Sequence, residues 1–227
     1  MKKGDLRKQE FLQTAETLFC KNGYEQTGVQ EILDVLHASK GSFYHHFVSK
    51  ESLLEAMFEK RAAQAFEAAC AVEDIDPVRR VERLLSAAVP LKDEQLPFLL
   101  MVLPIFSQPE GRTMKTQYCD SLERNFRPAL ADAVSEAVRT GDLSVRDPEI
   151  AAEQCMVLLN RLWIRICETI VANEKAGTET DPGDVLHLTE QYRRAMEQIL
   201  NAAYGSLTLI DLSSVRILID RIHSHWK

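Results

Sequence analysis

A chain of 227 residues is long enough for one large domain or two small ones, and 45% hydrophobic against 27% charged residues excludes intrinsic disorder. Nine Gly and eight Pro are few for this length, which excludes collagen-like scaffolds and favours helix. The formal net charge of −7 is spread over the whole chain, with eight Lys and Arg against nine Asp and Glu in residues 1–60, so bulk attraction to polyanions is excluded.

Helical periodicity dominates from the start, and strand-like alternation is almost absent. The basic opening Met1–Lys8 has no apolar stretch behind it, so no secretory signal is expected. The first helix is predicted over 5–22, with Phe11, Leu12, Ala15, Leu18 and Phe19 on one face and Asn22-Gly23 as its stop. Thr27 and Gln30 have the spacing of a capping box opening a short second helix, whose stripe Val29, Ile32, Leu33, Leu36 breaks at His37. Ser39 caps a third helix holding Phe43 and Phe47, and Ser49 with Glu51 opens a fourth that runs to about 71.

Beyond residue 75 the helices lengthen. Asp76-Pro77, Asp147-Pro148 and Asp181-Pro182 are start signals, an acidic cap before Pro at the first helical position, while Thr140-Gly141 and Ala176-Gly177 are stops. The predicted helices are 77–89, 93–107, 112–140, 148–174 and 183–204, with Pro104 and Pro128 expected to kink or split two of them. A last amphipathic segment carries Val215, Leu218, Ile219, Ile222 and Trp226. Its stripe must cover either its own domain or a partner.

A short helix, a tight turn and a second short helix, braced by a preceding one, form a helix-turn-helix unit. In Ser39-Lys40-Gly41-Ser42-Phe43-Tyr44-His45-His46-Phe47, the two Phe four residues apart face inward, and Lys40, Ser42, Tyr44, His45 and His46 face outward. Gly41 removes a side chain where backbone can approach a phosphate. With Phe19, Gly23-Tyr24, Thr27 and Ile32 before it and Ser49-Lys50-Glu51 and Leu53 after it, the run resembles the N-terminal DNA-binding domain of the TetR family of transcriptional regulators.

The resemblance covers residues 8–54 without a gap. It implies an all-α protein: a three-helix DNA-binding domain in residues 1–50 and a larger helical effector-binding and dimerisation domain in 51–227. It also implies a homodimer that grips a palindromic operator and is released by a small molecule. The carried-over DNA contacts are Thr27, Gln30, Ser39, Lys40, Gly41, Ser42, Tyr44, His45 and Lys50. Lys40 can reach guanine O6 and N7, whereas hydroxyls and backbone N–H groups position phosphates. The family usually has Gly in the turn; here Leu36-His37-Ala38 stands there, so His37 must take a conformation that Gly adopts freely. The acidic balance and this turn leave a second reading, a helical assembly protein that keeps the motif's shape without its DNA role.

Outside this unit the chemistry is sparse. Leu96 to Phe106, at eleven residues the longest apolar run, is too short to span a bilayer; it is either core or the wall of an effector cavity. The 148–174 helix is apolar over most of its circumference and needs partners on two sides, and 183–204 carries the stripe Val185, Leu188, Tyr192, Met196, Ile199, Ala203. Together they suit a homodimer interface. Asn160 must find a hydrogen-bond partner if buried. Met101, Phe106, Tyr118, Met156, Asn160 and Trp163 are the candidate effector contacts. Neither His45-His46 nor His223-x-His225 has a third ligand, so no metal is expected. Five widely spaced Cys without a nucleophile signature read as buried, reduced thiols of a cytoplasmic protein. No catalytic residue and no cofactor are expected.

Overall fold

The computed structural model describes residues 3–72, 76–91 and 95–226, and regular structure among them is helical. In chain order the helices are α1 (Lys3–Asn22), α2 (Val29–Leu36), α3 (Lys40–His46), α4 (Lys50–Cys70), α5 (Pro77–Ala87), α6 (Leu96–Phe106), α7 (Arg112–Thr140), α8 (Pro148–Ala176), α9 (Pro182–Leu200) and α10 (Leu212–Trp226). The all-α expectation holds. Their ends follow local chemistry. Asp76, Asp147 and Asp181 each accept hydrogen bonds from first-turn N–H groups of the helix they precede, with Pro at the next position. Gly23, Gly141 and Gly177 take positive φ where α1, α7 and α8 stop.

The chain divides into two compact units. The first comprises residues 1–61 and 97–118, the second residues 62–96 and 119–227. In the first, Phe11, Leu12, Ala15 and Phe19 of α1 are buried with Ile32, Leu33, Phe43, Phe47, Leu53 and Leu54. Phe11 meets the edges of Phe43 and Phe47 at centroid distances of 5.5 and 6.3 Å, a geometry that favours aromatic pairs. A second aromatic group joins Phe58 to Phe98, Phe106 and Tyr118.

In the second unit α8 is the central element and packs against α9, α10 and α5. Ala151, Cys155, Leu162 and Ile166 on one of its stripes, and Ala152, Met156, Leu159, Trp163, Cys167 and Ile170 on the other, are all buried, as a helix apolar on two sides requires. The tail covers its own domain: α10 packs on α9 and α8, with Val215, Leu218 and Ile222 buried. The side chain of Trp226 lies outside the described residues.

Three sequence expectations need correction. Pro104 and Pro128 lie inside continuous α6 and α7 and split neither. A Pro costs a helix interior about 3 kcal/mol, and burial of nearly all of α6 outweighs that cost. The 183–204 helix stops at Leu200, because Asn201 adopts a left-handed φ of 46° and Ala202 N–H returns to Glu197 O at 2.8 Å. The predicted start of α6 at 93 lies outside the described residues, and α6 begins at Leu96. Finally, only Cys155 and Cys167 are buried; Cys20 and Cys70 are exposed and Cys119 is intermediate. Burial pushes the Cys155 thiol up to about 12, which keeps it un-ionised at neutral pH.

Candidate nucleic-acid interface

The second helix does not open on the capping box its sequence suggests. Gly28 is its N-cap and offers no side chain. Thr27 is fully buried, its hydroxyl donating to Gly23 O at 2.9 Å and Leu18 O at 3.4 Å. It therefore closes the α1–α2 loop from inside, and its side chain is turned away from the surface where a phosphate would lie. Gln30 is exposed and donates to Asp34 at 2.8 Å, one helical turn on.

The turn after α2 is built by His37. Its φ and ψ of 47° and 44° are left-handed, and Ala38 N–H reaches back to Leu33 O at 2.9 Å, closing α2 in place of a Gly. Arg7 of α1 braces this turn, donating to Leu36 O at 3.3 Å while it pairs with Glu10.

Ser39 caps α3 as expected, its Oγ accepting from Ser42 N at 3.2 Å. This fixes the face that α3 shows. Phe43 is buried, and Lys40, Gly41, Tyr44 and His45 are exposed. A Cβ on Gly41 would meet only the Ser39 hydroxyl, at 3.9 Å, so the backbone there is open to an approaching group. The Tyr44 ring stands at right angles to Phe43 with centroids 5.4 Å apart, leaving its phenol outward. The nine candidate DNA contacts thus divide. Gln30, Lys40, Gly41, Tyr44 and His45 are exposed; Ser39 is exposed with its hydroxyl engaged as a cap, Ser42 is partly exposed, and Thr27 and Lys50 are held inward.

Lys50 is the second departure. Its Nζ donates to Tyr24 O at 3.0 Å and Thr27 O at 3.3 Å and sits 4.1 Å from the centre of the Tyr24 ring. Ser49 and Ser52 cap each other's N–H groups at 3.2 and 3.1 Å and start α4 beside it. Two cations of α1 that the motif does not include, Arg7 and Lys8, also lie beside this unit, Lys8 at 5.9 Å over Phe47 at the end of α3. Their place just before Phe11, whose ring anchors α3, is the sequence signal for it.

The candidate effector residues fall into two groups. Met101, Phe106 and Tyr118 are buried in the first unit, with Phe106 and Tyr118 centroids 6.1 Å apart. Met156, Asn160 and Trp163 are buried in the second. The Asn160 amide has protein partners: its Oδ1 accepts from Trp163 Nε1 at 3.1 Å and its Nδ2 donates to Cys119 O at 3.5 Å. Two cavities of the second unit, of about 220 and 470 Å³, flank residues 208–210 before α10 and are lined by none of these six residues. Among the described residues, no three His, Cys, Asp or Glu side chains form a group that could hold a metal ion, and no helix is long and apolar enough to cross a membrane.

Comparison with known proteins agrees with this geometry. Residues 11–57, from the Phe11 anchor into α4, match the family model of the bacterial regulatory proteins, tetR family. The chain is 24% identical over 168 residues to the HTH-type transcriptional regulator UidR of Escherichia coli (strain K12), across 73% of this chain and 80% of that protein. It is 45% identical over 49 residues to the HTH-type transcriptional repressor KstR2 of Mycolicibacterium smegmatis, across 22% of this chain and 24% of that protein. The fold is similar to that of a transcriptional regulator from Saccharomonospora viridis solved with choline, with a TM-score of 0.55 and 19% identity over 84% of this chain and 95% of that one. The Ser39-capped outward helix carried on the Phe11 anchor lies within residues 11–57, and it is this segment that the chain shares with the bacterial regulatory proteins of the tetR family.

Proposed function

We propose that the protein is a ligand-responsive repressor that binds a palindromic operator as a homodimer and is released by a small molecule. The observation that carries the reading is the face of α3, where the Ser39 cap and the buried Phe43 leave Lys40, Gly41, Tyr44 and His45 together and outward. Lys40 reads a guanine edge in the major groove; Tyr44, Ser42 and Gln30 hold phosphates and set register. Thr27 and Lys50 act behind them as internal braces. Residues 1–50 form the DNA-binding domain and 51–227 the effector and dimerisation domain. The protein acts in the cytoplasm as a regulator, not as an enzyme.

Dimerisation is supported by the faces of α9. One stripe, Val185, Thr189, Met196 and Leu200, is buried, while Leu188, Tyr192, Ala195 and Ile199 on another side stay partly exposed. On α8, Ile150 and Val157 are about half exposed, at 48% and 55%. These apolar remnants suit a second copy across α8 and α9. Two copies place their α3 helices about 34 Å apart, one turn of DNA. An effector releases the operator by favouring a conformer with a different separation, and only to the extent that it binds that conformer better. The structural neighbour solved with choline supports a small organic effector.

The test is selection from a random-sequence duplex pool by the full-length protein at two salt concentrations, with sedimentation of the bound species. Recovery of a palindrome with salt-sensitive affinity by a dimer is expected. A folded dimer that enriches no sequence would favour the assembly-protein reading.

A further inference from the structure

Half of the chain's six histidines, His37, His45 and His46, fall within ten residues of the helix-turn-helix unit. Between residues 27 and 49 the other charged residues are one Lys, Lys40, and two carboxylates, Glu31 and Asp34. With neutral imidazoles the segment is therefore negative, although it must approach a polyanion. The cation that follows it, Lys50, points its ammonium at backbone carbonyls. The imidazoles are the groups able to reverse this sign near physiological pH.

Two of them are placed to do so. His45 and His46 form the last turn of α3, with ring centroids 4.9 Å apart. His45 is exposed, and His46 lies half-buried against the Phe11 ring, 6.1 Å between centroids. The charged and titratable groups that act on His46 are its neighbour His45 and, on α1, Lys8, Arg7 and Asp5. Burial first, then His45, Lys8 and Arg7, hold His46 below the ordinary imidazole range; Asp5 opposes them. His46 therefore protonates less readily than an ordinary imidazole, and an added counter-charge favours its ionised form. A duplex laid along α3 supplies that counter-charge as phosphate.

We propose that DNA binding by this protein is coupled to proton uptake at the His45–His46 pair, so that acidification tightens its hold on the operator. The inference rests on the repressor reading above. Protons held more tightly in the complex than in the free protein make affinity rise as pH falls, by up to about tenfold per pH unit for each proton taken up. No new contact is required. The same pair that leaves the segment negative in mildly alkaline solution makes it cationic on DNA.

The experiment uses the full-length chain, a mixed-sequence duplex and the selected operator. Affinity is read by fluorescence anisotropy at about pH 6 and about pH 8, across the imidazole range. Proton uptake on mixing is followed in weak buffer with an indicator dye. Tighter binding at the lower pH with measurable uptake is expected, with the pH slope reduced in H45Q and abolished in the H45Q/H46Q double variant. Because His46 touches the core, H45Q alone keeps the test valid if the double variant is unstable, and H45R should bind with a shallower slope than wild type. Binding with no proton uptake, or with a slope unchanged in H45Q, overturns the coupling and leaves the repressor reading standing. Absence of DNA binding at every pH and salt overturns both.

Discussion

Lys50 Nζ lies 4.1 Å from the centre of the Tyr24 ring while donating to the carbonyls of Tyr24 and Thr27. One ammonium thus ties the start of α4 to the loop that carries α2. Lys50→Met keeps the stem and removes the charge, and should cost about 1–2 kcal/mol in urea unfolding through the lost cation–π and hydrogen-bond contacts. DNA affinity should fall with it, while the dependence of affinity on salt stays unchanged. A slope reduced by about one would instead mark Lys50 as a phosphate ligand.

The opposite signature is expected on the outward face of α3. Lys40→Ala should cost about 1–3 kcal/mol of operator binding and relax preference at one base pair. Tyr44→Ala should weaken binding to all sequences alike if the phenol meets the DNA backbone as proposed. Tyr44 is 56% exposed and Lys40 is exposed as well, so unfolding midpoints should hardly move in either variant. Unchanged DNA binding by both would remove them from the interface.

His37 offers a test of the turn itself. Its left-handed backbone costs a side-chain-bearing residue about 1–2 kcal/mol, against roughly 0.5–1 kcal/mol of extra chain entropy for Gly. His37→Gly should therefore stabilise the protein slightly, by about 0.5 kcal/mol, and leave operator binding near its wild-type strength. Destabilisation in a thermal melt would show that the imidazole contributes to the turn.

These residues also mark where sequence reasoning reached and where it stopped. The caps at Ser39, Asp76, Asp147 and Asp181 were legible because donor and acceptor lie two or three residues apart, and periodicity placed Phe43 inside and Tyr44 outside. His37 was legible too, since a turn of fixed length leaves it no other conformation. Thr27 and Lys50 have partners that the sequence conceals, for one reason. Thr27 has the spacing of a cap, yet the hydroxyl finds carbonyls of the preceding helix and loop, and Lys50 finds carbonyls 26 and 23 residues back in the sequence. Such partners exist only after α1, α2 and α4 have packed. Asn160 lay between these cases: its need for a partner was clear, whereas Cys119 O, 41 residues away, was not predictable.

The C-terminal segment should be essential for the second unit. Removing residues 208–227 uncovers the surface that Val215, Leu218 and Ile222 bury, each worth about 1.5–3 kcal/mol. Loss of most of the cooperative unfolding transition is expected in circular dichroism. A truncated chain as stable as the full one would mean that α10 adds nothing to the core beneath it.

Within α9, Arg193 is the pivot of a charged cluster. It pairs with Glu190 and Glu197, and Glu197 also accepts from Leu207 N at 3.1 Å, fastening the segment that leads to α10. The Glu197 side chain is only 4% exposed, so Arg193→Ala leaves a buried carboxylate unpaired and should cost about 3–5 kcal/mol. Replacing both partners, as Arg193→Met with Glu197→Leu, should recover much of the loss, although Leu207 N–H then loses its acceptor. Glu190 gives the cluster its pH dependence. Hydrogen bonds from Arg193, Arg194 and Tyr204 hold its carboxyl down at about 2. A folded-state value below the unfolded one means that this contribution is complete above the ordinary carboxylate range and fades as pH falls towards about 2. Unfolding midpoints measured downward from neutral pH should therefore drop with acid in the wild type and drop less steeply in Arg193→Ala. An equal acid dependence in the two proteins would mean that Arg193 does not hold Glu190 ionised.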